Sequence, residues 1–81
     1  MLESKVNYLA RIYNLDVGMD IYDRITLHFD NGYVKDGAFL VGVCGRGKTV
    51  EEAAEDYYRK VRGKQIVIDQ PYQTRKEFYL Y

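Results

Sequence analysis

Residues 49 to 63, TVEEAAEDYYRKVRG, carry every signal that a helix needs. Thr49 is a good N-cap, and Glu52, three residues on, completes a capping box. Val50, Ala53, Ala54, Tyr57 and Val61 recur at helical spacing and make one apolar stripe. Glu55 with Arg59 and Asp56 with Lys60 are i, i+4 pairs in the favourable order. Acids crowd the start, bases the end, and Gly63 stands where a helix stops. Such a helix must bury its stripe, and its flanks say against what. The apolar run AFLVGVC precedes it and KQIVID follows, and both read as strands. The segment therefore predicts a sheet with this helix against one face.

The remaining elements extend that picture. In YDRITLHF, Asp23, Ile25, Leu27 and Phe29 alternate with Arg24, Thr26 and His28, the period of a half-buried strand. DNG at 30 to 32 and KDG at 35 to 37 are turn signals. AFLVGVC is then the returning strand, and its apolar character on both faces predicts a central position. QPYQ reads as a turn and RKEFYLY as a final strand at or beside a sheet edge. On that strand Phe78 and Leu80 should face the core, with Tyr79 and Tyr81 on the opposite face. At the N-terminus, Leu2, Val6, Leu9, Ala10 and Tyr13 share a helical face. Val6, Tyr8, Ala10 and Ile12 also alternate as in a strand, and the helix is the reading adopted. The expectation is one α+β domain over residues 1–81. It has a mainly antiparallel sheet of about four strands, the capped helix on one face and an N-terminal helix nearby.

GVCGRGKT, residues 42 to 49, matches the phosphate-loop pattern G-x-x-x-x-G-K-[ST] through Gly42, Gly47, Lys48 and Thr49. IVID at 66 to 69 even imitates the strand ending in Asp that would complete a metal site. Three arguments oppose the motif. Too little chain follows Thr49 for the parallel sheet that holds such loops. Glu51, Glu52, Glu55 and Asp56 place negative charge where phosphates need positive potential. Gly45, Gly47 and Thr49 are all explained by a tight, capped strand-to-helix turn. No cofactor is expected.

Composition narrows the chemistry further. Lys and Arg number 12 and Asp and Glu 12, so no net field recruits nucleic acid or an anionic membrane. No apolar run approaches the roughly 18 residues of a membrane span. The single cysteine, Cys44, allows no internal disulfide and suits a reducing bacterial cytosol. Cys44 and the only histidine, His28, could form a nucleophile–base pair only if adjacent. Pairing through the Asn31-Gly32 turn would set His28 opposite Lys35 and leave Cys44 roughly 30 Å away. A wider loop still leaves about 16 Å. Cys44 is thus read as a small buried apolar residue and His28 as solvated, with no catalytic or metal site.

Two binding readings remain. Arg46, Lys48, Arg59, Lys60, Arg62 and Lys64 bracket the helix, with Tyr57 and Tyr58 between them, as phosphate contacts and base stacking would need. Four acids on the same helix make a solvated face the simpler account. The chain also carries nine tyrosines and no tryptophan, more phenol rings than a core this small can hide. Tyrosine is a preferred anchor in protein interfaces, and it also serves as an amphipathic cover over a small core; the two readings stand side by side. The residues expected to carry binding are Tyr58, Arg59, Arg62, Tyr72, Tyr79 and Tyr81.

GRGKTVEEAAEDYYRKVRGKQIVI, within residues 38 to 68, has a strand, G-x-G-x-T, and E-E-A opening a helix that ends in G-K before an apolar strand. This arrangement resembles small accessory proteins encoded by phages and prophages of Gram-positive bacteria. More distantly it is similar to the HicB antitoxin domain, in which a strand leads through G-x-T-x-E-E-A into a helix packed on an antiparallel sheet. It departs from HicB in its N-terminal helix and in lacking a C-terminal DNA-binding domain. The resemblance implies a compact α+β binder and not an enzyme. The expected function is inhibition of a host protein complex, of the anti-CRISPR kind, in the host cytosol, with self-association through the same surface. The alternative is a HicB-like antitoxin or nucleic-acid-binding accessory protein.

Overall fold

In the computed structural model, which describes residues 4–81, the chain runs in the order α1 (Lys5–Ile12), β1 (Leu15–Met19), β2 (Ile25–Phe29), β3 (Gly32–Asp36), β4 (Phe39–Val41), β5 (Gly45–Gly47), α2 (Val50–Val61), β6 (Gln65–Ile68) and β7 (Lys76–Tyr79). The fold is α+β, with the strands divided between two antiparallel sheets. One has the order β1-β2-β5 and the other β4-β3-β6-β7. No helix among the described residues is long and apolar enough to cross a membrane.

Helix α2 has the bounds its signals predict. Thr49 Oγ1 accepts from the Glu52 amide at 3.1 Å, and Ala53, Ala54, Tyr57 and Val61 are buried. The reciprocal arm of the capping box is displaced by one residue: Glu52 Oε2 accepts from the Lys48 amide at 2.8 Å, not from Thr49. Gly63, at φ 80°, turns the chain out of the helix. Arg59 pairs with Asp56 at 2.8 Å rather than with Glu55, and Lys60 joins the same carboxylate at 2.9 Å.

The N-terminal segment is a helix capped from two sides. Ser4 Oγ accepts from the Asn7 amide, and Glu51 of α2 accepts from Lys5 N at 2.7 Å. An α2 carboxylate thus satisfies orphan donors of α1 and couples the two helices. Leu9 is buried, with Val6, Tyr8, Ile12 and Tyr13 packed against the core. Ala10 is exposed, so the stripe runs through Val6, Leu9 and Tyr13 without it; Leu2 lies outside the described residues.

The core joins Leu27 and Phe29 of β2 to Val34, Ile66 and Ile68 of the second sheet and to Leu80 just after β7, under Tyr57 and Val61 of α2. The Phe29 ring meets Tyr57 edge-on at 5.6 Å and Phe78 at 5.9 Å, tying both sheets to the helix. β2 keeps its predicted alternation, Leu27 and Phe29 buried between half-buried Thr26 and His28. β7 is an edge strand, with Leu80 buried and Tyr79 and Tyr81 exposed, as its alternation predicts.

Three features of the pairing differ from the sequence reading. The Asn31-Gly32 turn makes no hairpin: β2 pairs with β1 and β5, while β3 pairs with β4 and β6. With Asn31 at φ 53°, that turn carries the chain from one sheet to the other. The run AFLVGVC is not a central strand. Its ordered part, β4, is an edge, and Phe39, Leu40 and Val41 are all exposed. Finally, Gly45–Gly47 is a strand and not a turn, paired with Ile25–Leu27. A Cβ on Gly45 would lie 2.1 Å from the Ala53 carbonyl oxygen and 2.5 Å from the Tyr57 amide nitrogen. Glycine is needed there because α2 lies directly on the β5 backbone.

Candidate protein-binding surface

The four-stranded sheet has one face in the core and one in solvent. Residues paired directly across antiparallel strands share a face. Val34, Ile66 and Phe78 stand on the core side, so Tyr33, Val67 and Glu77 form a row on the outer side. Leu40 with Lys35, and Gln65 with Tyr79, stand on that same outer side. Val67 is fully buried yet lies outside the core cluster, at the middle of this face. Around it Tyr33 and Leu40 are partly exposed, and Tyr79 is 52% exposed. Arg75 and Glu77 close one border through an ion pair at 3.3 Å.

The six residues expected to bind divide among four places. Tyr58, Arg62 and Tyr81 come together. The Tyr58 hydroxyl donates to the main-chain oxygen of Tyr81, the Tyr8 hydroxyl donates to the same oxygen at 3.4 Å, and Arg62 lies 5.8 Å over the Tyr58 ring. Tyr58 also stacks edge-on against Tyr8 at 5.9 Å, with the Lys5 ammonium 3.9 Å above it. That half-buried ring anchors the C-terminal strand to both helices, while the Tyr81 ring projects into solvent. Tyr79 stands on the outer sheet face, two residues away along the chain.

Arg59 is set apart, held by Asp56 on α2. Burial pushes the Asp56 carboxyl up, but bonds from Lys60, the Arg46 amide and Arg59 outweigh this and hold it at about 2. Tyr72 lies in the β6–β7 loop with its ring fully exposed and its backbone at φ 63°. Holding a bulky residue there costs about 1 kcal/mol relative to glycine. Sequence reasoning missed Tyr33 and Leu40. The alternation of Tyr33, Val34 and Lys35 contained the signal, but the adjoining NG hairpin reading obscured it.

Other candidate sites are altered by the fold. Because β2 pairs with β5 and not with β3, Leu27 stands opposite Gly45, and the next residue of each segment, His28 and Cys44, lines one cavity. Asp16 stands across from His28 on the other side. All three line a cavity of about 290 Å³ between the sheets, which overturns the wide separation expected from a hairpin. His28 Nδ1 donates to the Phe29 carbonyl at 2.8 Å, and Nε2 lies 3.6 Å from Asp16 Oδ2, beyond hydrogen-bond reach; among the described residues no hydrogen bond joins the ring to the Cys44 thiol. Cys44 is half-buried, not enclosed.

At the phosphate-loop match three backbone donors are already occupied. The Lys48 amide binds Glu52, the Glu52 amide binds Thr49, and the Arg46 amide binds Asp56 at 2.9 Å. Arg24, Arg46 and Lys48 line a shallow cavity there, but Glu52 lines it too and Asp20 pairs with Arg46 at 3.6 Å. Nucleic-acid stacking loses Tyr57, which is buried with its phenol pushed up to about 12 by desolvation. No protein-family model, curated protein or solved structure matches this chain.

Proposed function

We propose that this protein is a non-enzymatic binding module that engages another protein through the outer face of its four-stranded sheet. The observation that carries this reading is the face itself. Tyr33, Leu40 and Tyr79 present large, exposed side chains around buried Val67, with an ionic border, and the Tyr81 ring projects into solvent two residues beyond Tyr79. Stiff amphipathic rings beside a polar border suit a protein partner, since such rings are preferred anchors in interfaces with a polar rim. Tyr72, strained and fully exposed on the adjoining loop, supplies a further contact point. The resemblance to phage accessory proteins supplies the class of partner: a host protein complex, such as a defence nuclease, that the module inhibits.

The antitoxin or nucleic-acid reading has weaker support. Asp20 and Asp56 pair with Arg46, Arg59 and Lys60, three of the six bases that would meet phosphates.

The test is affinity capture from a bacterial lysate, comparing the protein with its Tyr79→Ser/Tyr81→Ser form. Both rings project outward, so the double variant should keep its melting temperature while losing the captured partner. Equal capture by the folded variant would refute the reading. Capture that collapses between about 50 and 200 mM salt and requires nucleic acid would favour the alternative.

A further inference from the structure

Strand β4 is an edge that lacks the usual protection. Edges are kept apart by charges, prolines, bulges or covering elements. The β7 edge carries Lys76 and Glu77, β1 carries Asp16, and β5 carries Arg46 and lies against α2. From Gly37 to Val43 there is no charge and no proline, and Phe39 is 75% exposed. The strand is apolar on both faces, the pattern of a strand with neighbours on both sides, yet it has a neighbour on one side only.

The turn before β4 fixes which backbone groups face outward. Asp36 pairs with Phe39 across the two-residue loop Gly37-Ala38, with Gly37 at φ 62°, a type II′ hairpin. The pair flanking such a loop exchanges both hydrogen bonds, and bonded pairs alternate with unbonded ones. Lys35 and Leu40 form the next, unbonded pair, so the N–H and C=O of Leu40 point away from β3.

We propose that two copies of this chain associate about a two-fold axis by antiparallel pairing of β4 with β4, centred on Leu40. The inference stands on β4 alone and does not rest on target binding by the outer sheet face. A second copy is the occupant because the edge is self-complementary. Leu40 exchanges both outward bonds with Leu40 of the second copy. Phe39 then meets the second copy's Val41, an aromatic–β-branched pair that the symmetry makes twice. Neither β4 strand at the seam carries a charge; Lys35 and Asp36 lie one strand back, opposite Leu40 and Phe39. Gly42 leaves open space at the rim. The product is one continuous eight-stranded sheet.

The exposed parts of Phe39, Leu40 and Val41 amount to roughly 250–300 Å² per copy, taking about 200 Å² for a whole aromatic side chain. That is well below the roughly 800 Å² of a standard interface. The dimer is therefore weak: populated at hundreds of micromolar and dissociated at about 1 μM.

Sedimentation velocity on the full chain at about 1 and about 300 μM tests the association, with a shift from monomer to dimer expected. Phe39→Lys should weaken it at least tenfold while the hairpin survives, since the new cation stands opposite Asp36. The register is tested by Leu40→Cys in a Cys44→Ser background. The paired Cα atoms would be about 5.5 Å apart, within disulfide reach, so oxidation should yield a covalent dimer. Tyr79→Cys on the β7 edge should give none. A monomer at every concentration, a dimer indifferent to a folded Phe39→Lys variant, or cross-linking through Tyr79→Cys instead of Leu40→Cys would overturn the proposal. If Phe39→Lys unfolds the chain, the two cross-linking variants decide alone.

Discussion

Gly45→Ala separates the packing account of GVCGRGKT from the phosphate-loop account by a large margin. A methyl group at this position would lie 2.1 Å from the Ala53 carbonyl oxygen and 2.6 Å from Tyr57 Cβ. Ordinary contact begins near 3.4 Å, so α2 would have to retreat by about 1.3 Å. The obstructing atoms include helix backbone, which cannot rotate aside as a side chain can. Overpacking of this kind costs about 1–3 kcal/mol, and backbone obstruction places Gly45→Ala at the upper end, about 3 kcal/mol. For a chain of this size that corresponds to a fall of about 12–24 °C in melting temperature. The matched control is Gly42→Ala, which meets nothing within 4 Å and lies outside the left-handed region. It should be neutral or stabilising by up to about 1 kcal/mol. A phosphate loop demands the opposite, since Gly42 is a fixed position of that motif and Gly45 a free one. Urea titrations of both variants, with and without magnesium and ATP, decide the matter. An unchanged Gly45→Ala midpoint, or equal damage at Gly42, would refute the packing argument.

Two further expectations concern α2. Thr49→Ala removes the acceptor for the Glu52 amide and should cost about 1 kcal/mol, read as a lower urea midpoint. Asp56, held at about 2 against the usual 3.8, favours the folded state above pH 4, and this contribution is lost as pH falls through the folded value. With solvent screening allowed for, the loss between about pH 4 and pH 2 is about 1–2 kcal/mol. Asp56→Asn should flatten that part of the stability profile, and an unaltered acid limb would show that the Lys60, Arg59 and Arg46 contacts contribute nothing.

What could be read from the sequence was whatever local chemistry decides. Thr49, Glu52, the Val50–Val61 stripe and Gly63 define α2 without reference to the rest of the chain. Asp36-Gly37 makes its hairpin for the same reason. The misreadings concern partners distant in sequence. Asn31-Gly32 has hairpin chemistry, but the competing neighbours Leu15–Met19 and Gly45–Gly47 claim β2 from either side. Leu15–Met19 contains Asp16 and Gly18 and was not assigned, because neither residue favours a strand. Gly45–Gly47 has no strand propensity at all; it is extended because α2 can approach only a backbone without side chains. Of the binding surface, Tyr79 and Tyr81 followed from alternation along β7. Tyr58 was expected to serve binding, but its anchoring contacts with Tyr8 and the Tyr81 main chain were not legible, because both partners are far away in sequence.

The chain visits the first sheet, crosses to the second at Asp30–Gly32, returns through Gly42–Cys44, and crosses again after α2. Each sheet is therefore woven from segments on both sides of the Gly37-Ala38 turn: β2 needs β5, and β3 needs β6. A chain cut at that turn would yield two fragments, neither with a complete sheet. The pairing of Leu27 with Gly45 and of Val34 with Ile66 closes long loops before any burial rewards them. Such interlacing slows the first productive encounter and makes the last opening all-or-none. A chain that stops before β6 lacks the partner of β3, and neither fragment of a chain cut at the Gly37-Ala38 turn holds both members of the β2–β5 or β3–β6 pair.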